Sequence, residues 1–144
     1  MQKRLRYSAQ TLSARKRKKP GYVIVDEYDV QDLLNAVLRA YLKQVISEEP
    51  LGKVANAVSG RADLAVGKLG VLIEVKIARR AADQRRILND FGKDLNLYAK
   101  WPHLKHLIYF IYNSHLLADA EAFEELDGLK EISGRKFNVH VVLG

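Results

Sequence analysis

The stretch "RADLAVGKLGVLIEVK", residues 61–76, constrains the chain more than any other, because it writes two apolar runs around a tight turn yet keeps Asp63, Glu74 and Lys76 inside them. The runs "ADLAV" and "VLIEVKI" are short, and the second is rich in β-branched residues. With "GKLG" between them they predict a β-hairpin. Side chains alternate along a strand, so Val71, Ile73, Val75 and Ile77 face one way and Leu72, Glu74 and Lys76 the other. The hairpin folds Asp63 back beside Glu74 and Lys76, and three charges converge. A Glu-Val-Lys triplet alone reads as a solvated strand face; the aspartate on the paired strand is what makes it a candidate site.

Burying two carboxylates together costs free energy unless a cation offsets them. Mg²⁺ suits that pair, since it is a hard ion that takes oxygen ligands and binds one or two carboxylates with water and substrate phosphate. Held by Asp63 and Glu74, it would acidify a bound water and polarise a phosphodiester oxygen. Lys76 is placed to orient that water or to stabilise the charge of the transition state.

The flanking segments predict an α/β sandwich with a mixed sheet. Asp26 is an N-cap candidate with Asp29 three residues later, and "EYDVQDLLNAVLRAYLKQVI" continues with helical periodicity. Val30, Leu34, Val37, Leu38 and Tyr41 share its apolar face, with Glu27 and Gln31 on or near it. "SEEPLGKVANAVSG" reads as a loop. "ARRAADQRRILNDFGKDLNLYAKW" reads as a long amphipathic helix carrying Ile87, Leu88, Phe91, Leu95 and Tyr98, ended by Pro102. Tyr98 and Trp101 read as packing residues. "HLIYFIY" is a buried strand, "DAEAFEELDGLKEI" a short acidic helix and "KFNVHVVL" a last strand.

Composition closes off other chemistries. The chain has no cysteine, which excludes disulfides, thiolate zinc sites and cysteine nucleophiles. His103, His106, His115 and His140 match no strong zinc spacing, and neither a nucleophile elbow nor a phosphate-cradling glycine loop is present. No apolar run is long enough to span a bilayer, and the N-terminus is too basic for a signal-peptide core, so a cytoplasmic protein is expected. The net charge of +7 is uneven: residues 1–20 hold eight Lys or Arg and no acid, and the rest is nearly neutral. Residues 1–21 are therefore set apart as a basic arm, with Arg15, Lys16, Arg17, Lys18 and Lys19 as counterions for nucleic acid phosphate, and residues 22–144 as the globular domain.

Asp63, ten intervening residues and then Glu74-Val75-Lys76 resemble the PD-(D/E)XK nuclease superfamily, and the element order resembles its αβββαβ restriction-endonuclease-like core. More narrowly, "DEYDVQDLL", "GRADLAV", "VLIEVKIARR" and "DLNLYAKWPHLKHLIYFIYN" are similar to the DpnII/MboI-type restriction endonuclease-like domain. That likeness covers about 120 residues and leaves out the arm. It implies metal-dependent phosphodiester cleavage, with Asp63, Glu74 and the Val75 carbonyl as ligands to Mg²⁺ (or Mn²⁺) and Lys76 beside the attacking water. It also implies a further acid from the first helix, the role that Glu27 matches and Gln31 would assist. The family's proline before the aspartate is replaced here by Ala62.

Arg79, Arg80, Arg85 and Arg86 follow the catalytic strand as candidate phosphate contacts, with Gln84 among them. The readings left open are a DNA endonuclease of restriction, phage defence or a mobile element, a non-catalytic nucleic-acid-binding module of a larger assembly, and an RNA-cleaving nuclease. Cutting both strands of DNA would call for a homodimer or a partner subunit, because one metal site handles one strand at a time.

Overall fold

The computed structural model describes residues 2–14, 20–51 and 60–144. Its centre is a six-stranded mixed sheet flanked by helices. The elements run α1 (Gln2–Ser13), α2 (Glu27–Arg39), β1 (Ile46–Pro50), β2 (Arg61–Val66), β3 (Val71–Ile77), α3 (Asp83–Tyr98), β4 (His106–Tyr112), β5 (Gly128–Ile132) and β6 (Arg135–Leu143). The sheet order is β1-β2-β3-β4-β6-β5, with β3 parallel to β4, β4 parallel to β6 and the other pairs antiparallel. No helix among the described residues is long and apolar enough to cross a membrane.

The β2–β3 hairpin forms as its sequence predicts. Gly70 closes it with φ +68°, a left-handed conformation that glycine adopts without strain, and a Cβ there would meet the His103 carbonyl at 2.5 Å. The sheet then buries a core on each face. Val30, Leu33 and Leu34 of α2 pack with Leu64, Val66, Ile73, Val75 and Phe110 on one side, where Ala9 of α1 joins them. On the other, Ile87, Phe91 and Tyr98 of α3 cover Leu72, Leu107, Tyr109 and Ile111. Trp101, buried beside them, is a packing residue as expected.

Helix α2 starts where the capping argument puts it. The Asp26 carboxylate accepts from the Asp29 N–H, and Asp29 accepts in return from the Asp26 N–H. It stops seven residues early, because Arg39 donates to the Asn35 side chain and to the Val45 carbonyl, folding the chain back so that Val45 enters the core. Tyr41, expected on the apolar face, therefore lies past the helix end and is 84% exposed. Ile46–Pro50, expected at the helix end and in a loop, instead pairs with β2 as an edge strand.

Helix α3 starts later than its periodicity suggests, since the Asp83 carboxylate accepts from the Arg79 and Arg80 N–H groups and holds the residues before it as a turn. The expected acidic helix is only a 3₁₀ segment, Glu121–Leu126. Its second half is β5, joined to β6 through Ser133 (φ 52°) and Gly134 (φ 77°). Two positive φ values in a two-residue loop are the mark of a tight hairpin. Residues 2–13 of the basic segment form α1, an organised element where only a charged arm was expected.

Candidate active site

The hairpin register decides what meets on β3. Leu64 pairs with Ile73, so the next position along β2, Asp63, stands across from Glu74. The Val75 N–H donates to Asp63 Oδ2 at 2.7 Å, bringing the Val75 peptide against that carboxylate. Glu74 is buried at 6% exposure, on the α3 side of the sheet. One of its oxygens accepts from the Tyr98 hydroxyl, and the other pairs with Lys76 Nζ at 2.5 Å. Lys76 makes a second ion pair with Asp94 Oδ2 at 3.3 Å and lies 5.9 Å from the centre of the Tyr109 ring. The Tyr109 hydroxyl in turn donates to Asp94 Oδ2 at 3.3 Å.

These groups share one electrostatic state: too much negative charge for one lysine. Burial first, then the neighbouring Asp63, pushes Glu74 up to about 8. Burial likewise lifts Asp63 to about 6, outweighing the Val75 N–H and Lys76, which pull it down. Asp94 is raised by burial against the pull of Lys76. Burial works against the charged form of Lys76, yet Glu74, Asp94 and Glu27 together hold its pKa above the ordinary lysine value. A buried cluster that raises acids and lysine alike is short of positive charge.

Glu27 opens α2 and reaches the far end of β3, where Oε1 accepts from the Ile77 N–H at 3.2 Å. It thus borders the cluster at that end of β3. Gln31 is half-buried one turn later on α2. Beside Glu27 opens a cleft of about 410 Å³ lined by Asp26, Glu27, Tyr28, Arg79, Arg80, Asp83 and Arg86. The basic residues after β3 divide by what they touch. Arg86 is a strut, donating to the Ile77 carbonyl and pairing with Glu27 and Asp90. Arg79 reaches the Val25 carbonyl, Arg80 pairs with Asp83, and Arg85 is exposed. The Gln84 side-chain carbonyl accepts from the Asp119 N–H, which commits it to the loop beyond β4. Arg15, Lys16, Arg17, Lys18 and Lys19 lie outside the described residues.

Asp94, Tyr98 and Tyr109 complete the cluster, and sequence reasoning gave none of them a part in it. The signal was there for Asp94. It falls three residues after Phe91 and four before Tyr98, an acid on the apolar stripe of an amphipathic helix.

A family model described as REase_DpnII-MboI, for DpnII/MboI-type restriction endonucleases, matches residues 1–143. The chain belongs to this family. Its membership makes this DpnII/MboI-type protein a DNA endonuclease by class, on the restriction-endonuclease-like fold seen here. The family match starts at residue 1 and so takes in α1, which the motif resemblance leaves out. No curated protein and no solved structure matches the chain significantly.

Among the described residues no group of three or more acidic or histidine side chains stands ready to cage a metal ion. Mg²⁺ does not need such a cage, because it keeps several waters and commonly takes only one or two carboxylates from the protein. The donor set of this chain fits it. Asp63 and Glu74 are oxygen donors on paired strands, and burial above all raises both carboxyls, so a cation would favour their charged forms.

Proposed function

We propose that this chain is a Mg²⁺-dependent endonuclease that hydrolyses DNA phosphodiester bonds in the cytoplasm, in restriction, phage defence or a mobile element. The observation that carries the reading is the convergence of Asp63 and Glu74 across the β2–β3 hairpin with Lys76 beside them, next to an arginine-lined cleft. Asp63, Glu74, the Val75 carbonyl and Glu27 would hold the cation. Bound there, Mg²⁺ or Mn²⁺ would supply a more nucleophilic water and offset charge on the phosphate.

The chain's own groups do the rest. Lys76, kept charged by its carboxylate neighbours, orients the water and faces the charge that grows on the phosphate. Arg79, Arg80 and Arg85 meet flanking phosphates, Arg86 braces Glu27, Gln31 assists Glu27 from the next turn of α2, and Gln84 contacts the DNA with whatever its bond to Asp119 leaves free. The basic residues 15–19, which follow α1, add affinity for the DNA backbone. Double-strand cutting would involve a homodimer or a partner subunit.

The test is cleavage of supercoiled plasmid, linear duplex, single-stranded DNA and RNA in Mg²⁺, Mn²⁺ or EDTA, with wild type beside Glu74→Ala and Lys76→Ala. Metal-dependent cutting of DNA that both substitutions abolish is expected. Cutting of RNA alone would move the substrate. Binding without cutting would make the chain a nucleic-acid-binding module.

A further inference from the structure

Lys76 is held from two sides, and only one side belongs to the motif. Glu74 is its neighbour on β3, while Asp94 comes from α3 across the face of the sheet. Asp94 has a second neighbour in the Tyr109 hydroxyl at 3.3 Å, whose one proton it shares with the Ile87 carbonyl at 3.4 Å, and Tyr109 sits in register with Glu74 on the adjoining strand. The Glu74 carboxylate, by contrast, has competing tasks. One oxygen accepts from the Tyr98 hydroxyl and the other pairs with Lys76, so a cation held by this carboxylate would compete with Lys76 for it.

We propose that Asp94 is a positioning residue for Lys76, holding its ammonium over the carboxylate pair from the helix side and keeping it there when Glu74 turns to a cation. This rests on the nuclease reading above. A lysine is a compact charge on a flexible four-carbon stem, so without a second anchor it would swing away once Glu74 is engaged. The Asp94 side chain pairs with Lys76 and accepts from Tyr109, which ties it to the lysine.

The test compares wild type, Asp94→Asn, Asp94→Glu and Lys76→Ala. Asp94→Asn is expected to lower kcat by about 10–100-fold, the usual cost of losing a group that orients a site residue, with KM for DNA and the half-saturating Mg²⁺ concentration unchanged. Asp94→Glu, which keeps the charge, recovers most of that loss. A second readout needs no turnover: with Mg²⁺ and no DNA, the Lys76 ammonium cross-peak in nitrogen-correlated NMR is present in wild type and broadened away in Asp94→Asn. If Asp94→Asn does not fold, Tyr109→Phe, which frees the Asp94 carboxylate, replaces it with a smaller loss of kcat.

Wild-type turnover in Asp94→Asn beside an inactive Lys76→Ala overturns the inference and leaves the nuclease reading standing. A loss that appears only as weaker Mg²⁺ saturation overturns it by making Asp94 a metal ligand. A wild type that cuts nothing, or a fully active Lys76→Ala, brings down the nuclease reading and this inference with it.

Discussion

The two faces of β3 are equally buried and physically opposite. Ile73 and Val75, at 5% and 1% exposure, lie against Val30, Leu33 and Leu34, while Glu74, between them in sequence, is 6% exposed against α3. On the α2 side burial is itself the gain, at roughly 25 cal/mol per Å² of apolar surface. At Glu74 and Asp63, set among the apolar residues of the α3 side, burial is a cost, offset only in part by Lys76, the Tyr98 hydroxyl and the Val75 N–H. How deeply a residue is buried therefore does not tell what it does; whether its surroundings complete its charge does.

The largest expected effects come from exchanging the two kinds of burial. Val75→Asp puts an unpaired carboxylate on the apolar face, at a cost of several kcal/mol out of a total stability of about 5–15. It is expected to leave the chain unfolded by circular dichroism. Glu74→Gln removes a charge that the fold already disfavours, so its melting temperature should match or exceed wild type while cleavage is lost, a trade of stability against function. A folded Val75→Asp, or a Glu74→Gln protein that melts well below wild type, would break the contrast between the faces.

A smaller effect of the same origin is a dependence of stability on pH. Asp63 and Glu74 have native pKa values raised to about 6 and about 8. A native state that keeps protons which the unfolded chain releases loses stability as pH rises. Between the ordinary carboxylate range and about pH 8 the metal-free protein should therefore become steadily less stable, with the fall levelling off above that. The raised pKa of Lys76 contributes outside this window. Thermal melts from about pH 5 to about pH 8 check the slope. Glu74→Gln should flatten its upper part and saturating Mg²⁺ the whole, whereas stability that rises with pH in EDTA would contradict the charge imbalance.

What could be read from the sequence follows the range of the interactions. The Asp26 cap, the β2–β3 hairpin and the alternation along β3 are decided by neighbours in the chain, so Asp63, Glu74 and Lys76 converge as expected. The edge strands β1 and β5 exist through pairing with β2 and β6, and their own residues, "ISEEP" and "GLKEI", read as helix end, loop or acidic helix. The same limit applies within the cluster. Asp94 and Tyr98 join it only because α3 docks across the sheet, although Asp94 lies on the Phe91–Tyr98 stripe much as Glu27 lies on or near the apolar face of α2.

The smallest expected effects separate the cations of the cleft. Arg80 is 79% exposed on its side chain and pairs only loosely with Asp83 at 3.8 Å, and Arg79 spends one nitrogen on the Val25 carbonyl. Both keep donors for phosphate. Arg86 is spent on protein groups, through Glu27, Asp90 and the Ile77 carbonyl. A residue that neutralises a phosphate releases condensed counterions, so removing it lowers the salt slope of DNA binding by about 0.9 for each phosphate left without its cation. Arg79→Ala and Arg80→Ala are expected to lower that slope while kcat at saturating DNA stays near wild type. Arg86→Ala should leave the slope alone and reduce kcat, since its loss frees Glu27 at the end of β3. Titration of duplex binding against salt, paired with turnover at saturating DNA, separates the two groups; an Arg86→Ala protein with a lowered slope and intact kcat would turn the strut back into a phosphate-binding residue.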